Sequence, residues 1–347
     1  MRGKKYIIIA AINAVMLLLF CILTVTISKL ASSLDSQKAA LRWSADDEPY
    51  TQTSLFLENA DGFTMPNIYE TRAEIVNELS NNAIKGNIIN LPDGSVMEIG
   101  RLWADAYSGA AVMYTSTETV SSVETNVIFT GGDYFLFHPL ILVSGSYYSD
   151  TDLMKDRVVI DEFLAWQLYG AADITGMRIK VNGEVFYIAG VVKQEQGNAV
   201  AEVYGDRPRL YMPYESALKI NEFYRITCYE ACLPNPVEGL GYGIFKDVTV
   251  KDEFRSITVE NSARFSLKSL WGIISSYDKS SVKTNAVVLP YFENAARIIE
   301  SRAALLLVIA ALSLIFPILS SIYFIWLLFK LADTKIKKML KKRTLRG

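Results

Sequence analysis

The chain's only histidine, His138, stands beside Pro139 in an apolar stretch. A serine–histidine pair or a histidine-bearing metal site would have to be assembled around this one ring. In such surroundings it reads as structural. Asp150, Asp152 and Asp156 lack the spacing and the glycine of a calcium loop, and read as turn and solvent-facing residues. Gly239, Gly241 and Gly243 lack the last interval of a dinucleotide loop and its strand-to-helix setting, which leaves a flexible loop. No G-x-x-x-x-G-K-[ST] loop occurs, so ATP chemistry would have to come from another polypeptide. Cys228 and Cys232, in CYEAC, are open to a small disulfide or to two free thiols, with too few neighbouring ligands for a metal. Cys21 lies in an apolar run and reads as packing. A serine–lysine pair stays open, but no nucleophile–base set is visible, so the expectation is a protein that is not an enzyme and holds no cofactor. Tyr147, Tyr148, Tyr204, Tyr211 and Tyr214 read as packing residues, with a ligand or partner groove as the alternative.

Two long uncharged runs frame everything else. Residues Tyr6 to Ser28 carry no charge between Lys5 and Lys29, and Ala303 to Phe329 carry none between Arg302 and Lys330. Each matches the ~20 apolar helical residues that cross a bilayer, where a helix satisfies every backbone group internally. A cleaved signal peptide would have a shorter apolar region and a small-x-small site. The following SKLASSLDSQ offers no good one, so the first run reads as an uncleaved anchor. Arg2, Lys4 and Lys5 precede it, and eight basic residues face Asp333 alone from Lys330 onward. The middle holds 24 basic and 36 acidic residues, a net charge of −12. Basic ends retained and an acidic middle exported is the positive-inside pattern. The expected place is the plasma or inner membrane, multi-pass, with both termini cytoplasmic. An acidic domain also argues against nucleic acid as a partner.

The expected division is a cytoplasmic tip and first span over 1–28, a stalk over 29–50 and an extracytoplasmic α+β domain over 51–289. A second stalk over 290–302, the second span over 303–330 and a basic tail over 331–347 complete it. Leu30, Leu34 and Leu41 with Ala31, Ala39 and Ala40 suggest that the first helix continues outward until Asp46–Pro49. Pro290 suits the first position of a helix leading through Tyr291, Phe292, Ala295, Ala296 and Ile299 into the second span. Each stalk would project about 20 Å at 1.5 Å per residue. In the spans, Ala10 and Ala14 form a small-xxx-small pair, and Ser313, Pro317, Ser320 and Ser321 suggest a packing face and a hinge. The plain alternative is that such residues merely occur in spans. In the tail, Ile336, Met339 and Leu340 share a face opposite lysines. That segment suits docking on an ATPase or lying on anionic lipid, where each basic residue contributes about 1 kcal/mol.

Between the stalks the periodicity predicts strands at Thr53–Leu57, Asn87–Leu91, Ala111–Tyr114, Asn126–Phe129, Arg157–Ile160 and Arg209–Met212. It predicts helices over Asn67–Leu79, with Ile68, Ile75, Val76 and Leu79 on one side, over Glu162–Tyr169, capped by Asp161 and closed by Gly170, and over Ser216–Ile220. In MRIKVNGEVFYIAGVV two alternating runs flank Asn182-Gly183, the dipeptide of a type I′ hairpin. Helices and strands mixed in this way give an α+β domain.

From about Gly131 to Leu218 an ordered series of motifs stands out: Gly132-Asp133-Tyr134-Phe135, Gly145, DRVVIDEFLAWQLYG, Gly176, the Asn182-Gly183 hairpin, Gly190-Val191-Val192 and Tyr211-Met212-Pro213. In that order they resemble the MacB-like periplasmic core domain of ABC-transporter permeases of the FtsX-like/MacB type. The resemblance implies two α+β lobes, a mechanical role, and a cytoplasmic ABC ATPase that supplies the chemistry. It also implies transmission of ATP-driven closure through stalk helices without substrate passing through the spans. The usual member has four spans. This sequence ends after two, in DTKIKKMLKKRTLRG, without the E-I-G-like coupling motif. The expected partners are therefore that ATPase, the lipid bilayer and another permease-like membrane subunit, with a homodimer also compatible. The alternative is a membrane-anchored binding or sensor protein that keeps the fold and has left transport.

Overall fold

The computed structural model describes residues 2–44, 49–58, 62–84, 86–90, 96–195, 198–251, 253–275 and 287–344. The chain forms two compact units, one from Met1–Ser33, Leu270–Ser276 and Ile299–Gly347, the other from Leu34–Ser269 and Tyr277–Ile298.

Helix α1 (Arg2–Ser32) takes up the first apolar run and stops there. A 3-10 turn at Asp35–Gln37 and the short helix α2 (Ala39–Trp43) follow, so the continuous stalk expected over 29–50 is not formed. The cause is tertiary. Leu34, Ala39 and Ala40, which carried the helical periodicity, are buried in the second unit. There the Gln52 side chain donates to Ser36 O at 2.7 Å and accepts from Ala39 N at 2.8 Å, binding backbone that a continuing helix would pair internally.

Ten strands form one mixed sheet. In order they are β12 (Ser256–Glu260), β1 (Tyr50–Leu57), β11 (Cys228–Pro234), β4 (Ala104–Ser116), β5 (Val123–Gly132), β10 (Arg209–Pro213), β7 (Arg157–Asp161), β9 (Glu184–Val192) and β6 (Leu142–Gly145). The tenth, β8 (Arg178–Val181), pairs with β9 and also with the far end of β4, at Thr115↔Val181. Strands β4, β5, β10, β7, β9 and β8 therefore close on themselves as a six-stranded barrel. Strands β11, β1 and β12 leave the near end of β4 as an open wing. Barrel and wing share β4. The hairpin β2 (Asn87–Asn90) and β3 (Val96–Ile99) stands apart. Alternate positions divide the barrel strands. Val127, Phe129, Val158, Ile160, Leu210 and Met212 enter one core, whereas Ile128, Val159 and Tyr211 pack on the other face.

The barrel closes where the sequence is most explicit. Asn182 and Gly183 both have positive φ, 47° and 94°, as a type I′ turn requires. Asn182 Oδ1 then accepts from Tyr114 N at 2.9 Å, which docks the hairpin tip on β4. Helix α4 (Tyr134–Phe137) follows β5, and α5 (Glu162–Tyr169) follows β7. Asp161 caps α5 through Leu164 N at 2.7 Å and accepts from Arg209 N at 2.8 Å. Asp161→Ala is expected to cost about 2–4 kcal/mol in denaturant unfolding, a lost cap plus an orphaned buried N–H. Burial pushes this carboxyl from 3.8 up to about 6. The folded state thus holds the proton more tightly than the unfolded chain, and this group's contribution is lost as pH rises through that window. In Asp161→Asn the decline in stability from pH 3.8 to about 6 should be shallower than in the parent.

Helix α3 (Met65–Asn81) starts in a capping box of Thr64 and Asn67. Ile68, Ile75 and Leu79 are buried as expected, but Val76 faces out and Thr71 takes its place inside. Helix α6 (Asn198–Tyr204) precedes β10, and α7 (Tyr214–Ile220) follows it. The glycine cluster is not a loop. Gly239 precedes α8 (Leu240–Thr249), and Gly241 lies within it, where a Cβ would meet Thr51 Cγ2 at 2.7 Å. The short helix α9 (Leu267–Ser275) is followed by α10 (Tyr291–Thr344), which contains Pro317. Pro290 stands just outside α10, not at its first position, with its carbonyl accepting from Glu293 N and Asn294 N.

Helices α1 and α10 are each long and apolar enough to cross a membrane. Within their unit, Ala303, Ala310, Ser313, Pro317 and Ser320 make the buried stripe of α10. Ser320 Oγ donates to Asn13 Oδ1 at 2.9 Å, and Tyr6 lies 5.8 Å from Phe324 between ring centroids. Ala10 and Ala14 lie on the exposed side of α1. Ile336 is exposed on α10, while the side chains of Met339 and Leu340 fall outside the described residues.

Candidate functional site

The strands of the wing alternate, so one sheet face carries Tyr229, Ala231 and Leu233 into the main core and the other carries Cys228, Glu230 and Cys232. The carboxylate of Glu230, 1% exposed, is surrounded by partners. Its Oε1 accepts from Ser54 Oγ at 2.8 Å and its Oε2 lies 2.5 Å from His138 Nε2. Asn261 Nδ2 donates in turn to Ser54 Oγ at 2.6 Å. The lone histidine is therefore structural, but polar in its bonding. It closes α4, and its ring centroid lies 4.1 Å from that of Phe292 in the first turn of α10, the two planes tilted by 37°.

The next residue of α10 is held more firmly still. Glu293 accepts from Arg264 Nη2 at 2.7 Å and from Arg297 Nε at 2.8 Å. Glu293 and Arg264 are each only 1% exposed. Tyr291 lies under the Arg209 guanidinium, 3.7 Å from its ring centroid. Burial raises the Glu195 carboxyl nearby, with Tyr291 and Arg209 opposing that shift. The other end of the domain is clamped beside it. Arg42 of α2 donates to Leu136 O at 2.8 Å and to Phe137 O at 3.0 Å, pairing terminal carbonyls of α4. Both chain ends of the domain, 34–43 and 291–297, are thus fastened at α4 and the polar face of the wing. A cavity of about 320 Å³ adjoins this seat, lined by Val203, Arg209, Leu289 and Phe292 among others.

The motif residues are distributed, not convergent. Asp133 precedes α4 and pairs with Arg101 at 2.7 Å, and Tyr134 and Phe135 pack beside the seat. Gly132 turns the chain there at φ +63°, where a Cβ would lie 2.4 Å from Asp105 O. Gly145 and Gly190 face each other across β6 and β9. Gly176 (φ +83°) is in open space, Val191 is buried, and Pro213 ends β10 before α7. A separate cleft of about 930 Å³ runs past Arg72, Arg101, Trp103, Asp133 and Asp150. Its Arg72 is spent on Asp105, at 2.6 and 3.0 Å. Asp152 accepts from Ser149 N, as a turn residue does. Tyr148, Tyr211 and Tyr214 are buried, whereas the Tyr204 side chain lies outside the described residues.

Cys228 and Cys232 are both free and buried. Four residues apart on one strand, their Cα atoms are about 13 Å apart at 3.3 Å per residue, far beyond disulfide reach. Burial raises both thiols well above their usual value. Among the described residues no group of three or more His, Cys, Asp or Glu could hold a metal. The sequence reading missed Glu230, Arg264, Glu293, Arg209 and Asn13. Glu230 had a signal, an acid in a strand whose neighbours are all apolar, and Asn13 is the lone carboxamide of its span.

The chain is thus an α+β domain of barrel and wing with a helix long and apolar enough to cross a membrane on either side of it in sequence. Residues 52–235 match the model of the MacB-like periplasmic core domain, more than half of the chain, and the protein belongs to that family. It is a membrane-associated subunit of ABC-transporter permease type, and such a subunit is not in itself an enzyme. No curated protein matches the sequence. Among solved structures it is similar to the periplasmic region of MacB from Actinobacillus actinomycetemcomitans, at 14% identity and TM-score 0.39 over 67% of this chain and 94% of that one. It is also similar to the extracellular domain of the noncanonic ABC-type transporter YknZ from Gram-positive bacteria, at 13% identity and TM-score 0.38 over 59% and 99%. A domain of a putative permease protein from Porphyromonas gingivalis gives 15% identity and TM-score 0.33 over 62% and 92%.

Proposed function

We propose that this protein couples a separate cytoplasmic ABC ATPase to its extracytoplasmic domain in an export or mechanotransmission complex, with both termini in the cytoplasm. One observation carries the reading: the helix that includes the second apolar run begins inside the domain, its first turn held by the buried Arg264–Glu293 pair and by Phe292 on His138. A helix with no coil between Tyr291 and Thr344 is a stiff connection. A buried, hydrogen-bonded start resists slippage under load better than an apolar contact, because displacement unpairs charges. The basic tail, with Ile336, Met339 and Leu340, is the segment suited to meet the ATPase or the inner leaflet.

The test is purification of the full chain in mild detergent from its native membrane. A co-purifying polypeptide that hydrolyses ATP, with a further membrane subunit, is the expected result. The chain alone, under conditions that preserve related complexes, overturns the reading. Protease added to spheroplasts should cut near Asn182 and spare the tail. The 930 Å³ cleft favours a second reading, a sensor or binding protein. That reading requires ligand binding by the full chain with no ATPase present.

A further inference from the structure

Helix α9 has nine residues, LKSLWGIIS, and Lys268 is its only charge. Leu270 is buried at 1% exposure, and Ile273 and Ile274 are partly covered. Yet Leu267 and Trp271, one turn apart on the same side, are 73% and 63% exposed. A helix apolar on both its packed and its open side is poorly suited to water on the open side. From Leu270 onward it belongs to the compact unit built by the two apolar helices, not to the sheet domain. Trp271 on the open face therefore belongs to the same unit as the surfaces already suited to lipid, while Leu267 lies at the end of the sheet unit. We propose that α9 is an interfacial helix that lies in the headgroup layer of the outer leaflet, with Leu267 and Trp271 inserted toward the acyl chains. An indole, with an apolar ring and one N–H donor, suits that depth. Lys268, about 100° round the helix from Leu267, can extend its amine to lipid phosphates. This proposal rests on the reading that α1 and α10 cross that bilayer.

The experiment uses the full chain with Cys21→Ser in nanodiscs of phosphatidylcholine and phosphatidylglycerol, because Cys228 and Cys232 are buried. Spin labels are placed singly through Trp271→Cys, Leu319→Cys and Leu153→Cys. Leu319 is 60% exposed on α10, and Leu153 is 99% exposed in the sheet domain. Collision with oxygen, enriched in lipid, is compared with collision with a polar nickel chelate. The label at Trp271 should favour oxygen, as the Leu319 label does, while the Leu153 label favours the chelate. A Trp271 label that favours the chelate, or is shielded from both by protein, overturns the proposal. If the Leu319 label also favours the chelate, the spanning role of α10 has failed and α9's role falls with it. That outcome differs from loss at Trp271 alone.

Discussion

Replacing Glu293 by alanine is expected to destabilise the sheet domain by about 3–5 kcal/mol. Its carboxylate is 1% exposed and accepts from Arg264, which is equally buried. Removing the acid leaves a guanidinium in the interior with its principal counter-charge gone, and that desolvation term dominates. Arg297, whose side chain is 43% exposed, can turn to water and contributes little to the loss. An exposed pair of the same geometry would be worth about 0–1 kcal/mol, so the burial decides the magnitude. The double variant Arg264→Met/Glu293→Leu should recover much of the loss, since no charge remains to be solvated. Urea unfolding of the full chain in detergent, followed by circular dichroism, makes the comparison. A single variant that loses less than about 1 kcal/mol would mean that water reaches the pair.

The local parts of this fold were legible because local physics fixes them. Asp161 and Gly170 bound a helix by cap chemistry, and Asn182-Gly183 dictates a turn whatever surrounds it. The apolar runs were legible because their length alone sets the outcome. The rest depends on partners distant in sequence. Ala104–Gly109 holds alanine, serine and glycine, and extends β4 to thirteen residues only because β5 and β11 flank it. The break after Ser32 is invisible in the periodicity of Leu30 and Leu34, since it is Gln52 that captures the backbone there. The seat was least legible of all. Glu230 meets His138 across 92 residues and Arg264 meets Glu293 across 29, and no spacing rule connects either pair. The motif glycines drew attention in sequence order, but their reasons differ: a close backbone approach at Gly132, Gly145 and Gly190, and a positive φ in open space at Gly176 and Gly183.

Those approaches separate the glycines by expected cost. Gly145 has φ +75°, and a Cβ would lie 2.2 Å from Ala189 O and 2.8 Å from Gly190 Cα. Both obstacles are backbone, which cannot rotate away. Gly145→Ala combines about 1–2 kcal/mol of left-handed strain with an overpacking cost of about 1–3 kcal/mol. Gly190→Ala meets Ser146 O at 2.5 Å and carries the collision without the strain. Gly176→Ala, at φ +83° with nothing within 4 Å, carries the strain without the collision and should cost about 1–2 kcal/mol. The first two residues are paired across β6 and β9, so either methyl must part the same strands. Once parted, the gap admits the second methyl at lower cost, and the double variant should lose clearly less than the sum of the singles. Gly176→Ala combined with Gly190→Ala lacks that shared gap and should be closer to additive. Equal additivity in both cycles would mean that the β6–β9 approach is not what these glycines serve.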